Sequence, residues 1–342
     1  MEQKTTNTCD GDEQRYEVVV VGGGAAGLGG ALTLGRARRS VLVVDAGQPR
    51  NAPADGVHAY LGHEGTPPAE LLRIGREEVA HYGVTFLTGT VVAVHREGSD
   101  DTTDAEGGGD FRVVLADGAT VRAARLLVTT GLVDELPDVP GVAELWGTDV
   151  VHCPYCHGWE VRDQTIGVLA TGPLAVHHAL LWRQWSSDVI LFSHTAGDPS
   201  DEERERLAAR GIAVVEGEVA ALETVHGRLS GLRLRDDTLL ACQALAVAPR
   251  LTARTDLLAS LGLEPTDQEM GGHVIGSHIA ADAMGATAVP GVWVAGNVAA
   301  VNDKVISAAA AGVHAGAAIN ADLNEEETRR AVAIHRVALA HG

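Results

Sequence analysis

Two cysteines set two residues apart, Cys153 and Cys156, stand in the run His152-Cys153-Pro154-Tyr155-Cys156-His157-Gly158-Trp159-Glu160. Such a pair can close a small disulfide ring that reopens when a thiolate attacks it. Helical patterning resumes after the pair. Cys156 is therefore expected near a helix start, where amide groups and the positive dipole end lower a thiol pKa. That reading makes the segment a redox-active dithiol. The same spacing suits half of a zinc site, with the histidines as further ligands. Zinc normally needs a second paired-ligand motif, and the other cysteines, Cys9 and Cys242, are isolated. A structural disulfide is the third reading, and a chain without an export signal argues against it.

The elements that must hold this chemistry begin near the N-terminus. Residues 17–21 form an apolar run expected to be a buried parallel strand. It leads into Gly22-Gly23-Gly24-Ala25-Ala26-Gly27, and a helical pattern follows to Arg36. A second apolar strand, 41–44, ends in Asp45. This is the G-x-G-x-x-G turn between strand and helix, with an acidic residue about twenty positions on. Gly22 makes the turn, Gly24 lets backbone approach a pyrophosphate, and Gly27 packs helix on strand. The helix start holds the phosphates, and Asp45 suits a ribose hydroxyl. The bland alternative is a tight turn that binds nothing. Ala46, Arg50 and Asn51 continue as a polar loop placed to line the same ligand.

Further along, Thr66 is expected to cap a helix that starts at the prolines 67 and 68 and stops at Gly83. Strands are expected at 84–87, 91–96 and 111–115, with a solvated Gly/Asp/Thr-rich loop over 98–110. The strand 125–129 ends in Thr130-Gly131, small enough for backbone to approach a ligand. Pro137 and Pro140 mark a crossing between domains. After the cysteine pair, residues 165–192 repeat the strand–turn–helix–strand plan in degraded form. Of the glycine positions only Gly172 survives, and no arginine follows the second strand until Arg204. A 2′-phosphate needs cationic partners there. Residues 212–247 read as short strands, and Cys242 among them as a small buried hydrophobe. The strand 291–295 ends at Gly296-Asn297. Residues 303–323 then form an Ala-rich helix, whose start includes Lys304 and Val305, and 325–341 a separate amphipathic helix. Val332, Val337 and Leu339 in that last helix could meet a partner or a pocket, or pack at home.

With 342 residues, 45% of them apolar, two domains are the expectation. The formal charge of −20 argues against nucleic acid or an anionic membrane as partner. No apolar run reaches the length of a membrane span. The first 17 residues are polar and lack the apolar stretch of a signal peptide, so a cytoplasmic location is expected.

Over residues 16–324 these pieces, in this order, resemble the low-molecular-weight thioredoxin reductase family of flavoproteins. The resemblance rests on Gly22–Gly27, Thr129-Thr130-Gly131, the Cys153/Cys156 pair and the Gly296-Asn297 strand end. It implies an α/β fold of two Rossmann-like, three-layer ββα domains. FAD would occupy a split domain, 15–145 with 252–324, and the cysteines an inserted domain, 146–251. A disordered leader, 1–14, and a C-terminal helix, 325–342, complete the chain, which is expected to be a homodimer. Cys156 should then face the flavin C4a position and Cys153 the incoming thiol. The start of the helix at Lys304 and Val305 would suit the negative charge of a reduced flavin. Three departures stand out. His157 replaces an acidic residue, Asn297 replaces an aspartate, and the second nucleotide motif is eroded. In the histidine and the eroded motif the chain is similar to the dithiol oxidases of gliotoxin, holomycin and romidepsin biosynthesis.

The resemblance implies an enzyme that closes a disulfide in a small-molecule dithiol and passes the electrons to oxygen, giving hydrogen peroxide. His157, with His152 second, is the expected acid/base, since imidazole titrates near neutrality. Both also have a structural reading. His58 and His63 sit in a loop able to reach a flavin, and Tyr155 and Trp159 are expected to pack. The competing functions are an NADPH-dependent reductase of thioredoxin or another disulfide, and a redox-inert FAD- or zinc-binding module.

Overall fold

The computed structural model of the protein describes residues 14–97 and 110–341. All of the expected leader but Gln14, Cys9 included, and nearly all of the expected solvated loop lie outside the described residues. The two apolar runs do form buried parallel strands: Arg15–Val21 lies between Val41–Asp45 and Thr120–Val128. Val18, Val19, Val20 and Val43 are fully enclosed. Burial on both faces explains why these strands read as continuous apolar runs rather than alternating ones.

Around that centre a seven-stranded sheet runs in the order Thr85–Thr88, Val41–Asp45, Arg15–Val21, Thr120–Val128, Phe111–Leu115, Val91–Arg96, and Val292–Val294 joins Thr120–Val128. Helix α1, Ala25–Arg36, and helix α2, Pro68–His81, connect its parallel strands. Gly83, at φ +81°, ends α2 as expected. Thr66 does not cap that helix. Pro67 takes the cap position, and Thr66 is drawn into a bridge with Val57.

A second, all-parallel sheet runs Ala213–Val215, Val189–Phe192, Ile166–Leu169, Ala244–Ala246, Val150–Val151. The cysteine segment leaves its edge strand and forms the short helix α3, Pro154–His157. Helix α4, Ala175–Trp182, follows Ile166–Leu169 and stops short of Trp185. Helix α5, Asp201–Ala209, was not expected, although its start signal is plain. Ser200 and Glu203 form a capping box, and three acidic residues fill the first turn. Two smaller sheets complete the described fold. Val219–Val225, Arg228–Leu234 and Leu239–Ala241 make a meander. Leu132–Glu135, Arg250–Ala253, His273–His278 and Thr266–Met270 make a four-stranded sheet.

The two C-terminal helices expected from the sequence are one, α6, Val305–Ala340. No glycine or proline interrupts residues 317–341, so nothing stops the helix. Its first half packs on α1. Its middle is tied to the first sheet by Arg125, which is almost wholly buried and reaches Asp322 at 2.5 Å and Glu326 at 2.6 Å. Arg39 adds bonds to Glu17, at 2.8 Å, and to Glu327. Replacing Arg125 by alanine takes the sheet's cation from Asp322 and leaves Glu326 with Arg330 alone. It should cost about 3 kcal/mol of unfolding free energy, measured by denaturant titration with flavin content as a check on the native state.

Candidate active site

The glycine turn is built as tightly as its sequence requires. Gly22 sits at φ +107°, and a Cβ there would stand 2.5 Å from the Thr129 carbonyl oxygen. A Cβ on Gly27 would meet the Gly22 oxygen at 1.9 Å, so this glycine serves helix–strand contact. A Cβ on Gly24 would meet no protein atom within 4 Å, because that position faces an open cavity. Asp45 accepts a bond from the Gly23 N–H at 3.0 Å and pairs with Arg76.

The cavity holds about 910 Å³ and is continuous from the Gly22–Ala26 turn to both cysteines. Along it lie Asp45, Ala46, Arg50, Asn51, Thr130, Gly131, Gly296, Asn297, Lys304 and Val305. His152, His157 and His58 reach it as well, whereas Gly27 lies behind its wall and His63 stacks edge-on against Tyr60 instead. Three of these residues are held by bonds that sequence reading did not supply. Arg50 forks onto Asp134 at 2.6 and 2.7 Å. The Thr130 hydroxyl donates to the Arg254 carbonyl at 2.7 Å. The Asn297 amide nitrogen lies 3.0–3.2 Å from the carbonyls of Ala300, Val301 and Asp303. Asn297 therefore knots the loop that delivers Lys304, and its oxygen remains for a ligand. An aspartate there would set a carboxylate against three carbonyl oxygens.

At the far end the sulfurs of Cys153 and Cys156 are 2.7 Å apart, with both residues partly buried. Cys153 is the residue before the first turn of α3, and Cys156 lies inside that turn. The thiol with lowered pKa is therefore Cys153, not Cys156 as the helix-start argument had it. A four-residue helix has little dipole to offer. Cys153 is brought down to about 6, chiefly by the hydrogen bond from the Cys156 thiol. Burial opposes this, while the Cys156 and Tyr155 N–H groups and the Lys304 charge assist it. Cys156 is pushed up, first by that same bond, then by burial and by the neighbouring negative sulfur. The pair thus gives up one proton readily and holds the other. Lys304 is one of only two lysines in the chain, with Lys4, and its ammonium lies 4.6 Å from the Tyr155 ring centroid.

Burial keeps both histidines neutral, lowering the pKa of His152 and of His157. His152 faces the Val247 carbonyl through Nδ1 at 3.2 Å, which directs its proton there and leaves Nε2 as the acceptor. Both ring nitrogens of His157 are buried without a partner among the described residues. His58 joins Glu64, at 2.7 Å, to Glu160, at 3.5 Å. Tyr155 packs edge-on against Trp185, with ring centroids 5.5 Å apart, although it and Trp159 stay 57% and 67% exposed. Lys304 covers one, and Arg162 stacks on the other at 4.0 Å. Among the described residues no group of three or more His, Cys, Asp or Glu side chains is arranged for a metal ion.

The second, eroded turn has different surroundings. His194 accepts a bond from the Val219 N–H at 3.1 Å. Arg204 is held by Glu216 at 3.0 Å and Asp198 at 3.7 Å. Arg204 is thus not free for a 2′-phosphate, and its carboxylates oppose one. Cys242 is fully buried, as expected, and burial pushes its thiol up to about 12.

Residues 16–316 match the model of the pyridine nucleotide-disulphide oxidoreductase family. The chain belongs to that family. A thioredoxin reductase, tcpT, of Claviceps purpurea (strain 20.1) is 30% identical over 334 residues, covering 91% of this chain and 97% of the relative. The crystal structure of HlmI superposes with a TM-score of 0.86 at 45% identity, covering 95% of this chain and 97% of that one. An oxidoreductase from Agrobacterium tumefaciens gives 0.81 at 33% identity, over 91% and 99% of the two chains. The protein is thus a thioredoxin reductase-like flavoprotein oxidoreductase with FAD as its cofactor. Its cavity fits that group, since an open cradle at Gly24 and a paired acid at Asp45 lie at one end and the sulfurs at the other. No helix among the described residues is long and apolar enough to cross a membrane.

The electrostatics of the pair can be read optically. Titrating the reduced protein at 240 nm should show one thiolate forming near pH 6, absent in Cys153→Ser. Lys304→Met should move that transition to higher pH, because a positive charge that favours the thiolate is gone. An unmoved midpoint would remove Lys304 from this account.

Proposed function

We propose that this enzyme oxidises a small-molecule dithiol of the holomycin type to its cyclic disulfide, with oxygen as the final acceptor and hydrogen peroxide as the second product. The single observation that carries the reading is the continuous cavity with a dinucleotide turn at one end and two adjoining sulfurs at the other. Arg204, held by two carboxylates beyond the second turn, supports an electron source other than NADPH. FAD is assigned to the split unit 15–145 with 252–324, and the dithiol to 146–251. Residues 325–342 remain as a tail, and the working form is a cytoplasmic homodimer.

Gly24, Ala25 and Ala26 would hold the pyrophosphate, and Asp45 a ribose. Ala46, Arg50 and Asn51 would flank it. Thr130, Gly131, Gly296, Asn297, Lys304 and Val305 would bound the ring. A bound flavin would supply a two-electron acceptor for the reduced cysteine pair, with oxygen as its own acceptor.

The protein's own part is thiol exchange. A substrate thiolate attacks Cys153 of the oxidised pair; the Cys153–Cys156 bond breaks, and Cys156 leaves as thiolate. The substrate's second sulfur, losing its proton to a neutral imidazole, attacks the substrate sulfur of the mixed disulfide. The ring closes and Cys153 is expelled as thiolate. One retained proton between Cys153 and Cys156 is the state that the hydrogen-bonded sulfurs describe. His157 and His152, held neutral by burial, are the acid/base groups.

Supplying a reduced small dithiol and oxygen without nicotinamide should yield peroxide and ring-closed product in equal amounts. Turnover should fall by about three orders of magnitude or more in Cys153→Ser and Cys156→Ser. Rapid anaerobic bleaching of the flavin by NADPH, with no peroxide from any dithiol, would establish a disulfide reductase instead. His157→Leu separates chemistry from packing. Turnover should drop about a hundredfold, while the melting temperature holds or rises because two unpartnered buried nitrogens are gone.

A further inference from the structure

Helix α6 carries one face buried against its own chain through Ala308, Ala315, Ile319 and Leu323. At helical spacing that face continues through Ile334 and Val337. There the chain offers no cover. Every residue from 327 to 341 is exposed, Ile334 at 71% and Val337 at 59%. An apolar helix face of this kind marks an interaction surface.

Charge indicates what covers it. After Glu327 the sequence holds Arg329, Arg330 and Arg336, with His335 and His341, and no acidic side chain, although the whole chain carries −20. The tail is a basic, apolar helix on an acidic protein, complementary to another copy of that protein. A seat for it lies beside the first turns of the same helix. A groove of about 480 Å³ is walled by Ala280, Met284, Ala299, Ala310 and His314, with Asp282 and Asp303 as its acids. Met284, in its wall, stays 41% exposed.

The tail cannot reach the groove of its own chain, because the two lie at opposite ends of one unbroken helix. At 1.5 Å per residue its 36 residues span about 54 Å. Two copies with their α6 helices antiparallel across a two-fold axis satisfy both surfaces at once. We propose that residues 328–340 of each copy seat in the acid-rimmed apolar groove of the other. The inference rests on the homodimer proposed above and specifies what joins it.

Sedimentation velocity of the FAD-loaded protein tests this with three variants. One ends after Glu327, one carries Ile334→Glu with Val337→Glu, and one carries Met284→Arg with Ala310→Arg. The full chain should be dimeric at micromolar concentration. Each variant should dissociate with a Kd raised about a hundredfold or more, with far-ultraviolet circular dichroism and flavin-to-protein ratio unchanged. Mixing the truncated chain with the groove variant should restore a mixed dimer, since one intact tail then meets one intact groove. A truncated chain that stays dimeric overturns the tail's role and leaves the homodimer standing. A full chain monomeric at every concentration overturns both. Tail-dependent capture of a monomeric chain by vesicles of anionic phospholipid overturns the exchange in favour of a membrane.

Discussion

One proton held between two sulfur atoms is the constraint around which this molecule is arranged. Alone in water, neighbouring thiols would ionise almost independently. Here partial burial makes a second negative charge costly, while the backbone and Lys304 favour the first. The sulfurs must also stand at the end of a cavity long enough for a dinucleotide. That requires an edge strand of one sheet, the strand ends of another, and the loop knotted by Asn297 to line one cavity. Moving any one of them would separate charge, donor and sulfur.

Part of this was plain in the linear chain. The Gly22–Gly27 turn announces itself because a strand buried on both faces reads as an uninterrupted apolar run, and because only glycine fits beside the Thr129 carbonyl. The cysteines are local too, three positions apart on a single turn. The parallel strands, α1 and α2 emerged for the same reason, since periodicity and breakers operate within a dozen residues.

What escaped the linear reading depends on distant partners. Nothing near Arg50 announces Asp134, 84 positions away, nor does anything near Tyr155 announce Lys304. The four-stranded sheet includes Thr266–Met270, whose Thr-Asp-Gln-Glu-Met sequence lacks the apolar alternation by which strands are recognised. Asn297 drew notice as a departure from a pattern, yet its bonds to three carbonyls become visible only in three dimensions. Tyr155 and Trp159 pack, but the cations that cover them, Lys304 and Arg162, are visible only in the fold. Dividing α6 in two followed from its change of composition near residue 324, a change that carries no breaker.

The contrast between Cys153 and Cys242 reaches into pharmacology. One sulfur ionises near pH 6 at the wall of an open cavity; the other is sealed and reluctant until about pH 12. In mildly acidic solution, an electrophilic warhead offered to the reduced protein meets a single competent nucleophile among the described cysteines. Covalent labelling would therefore report on the mouth of the cavity alone, with the sealed sulfur as a built-in silent control.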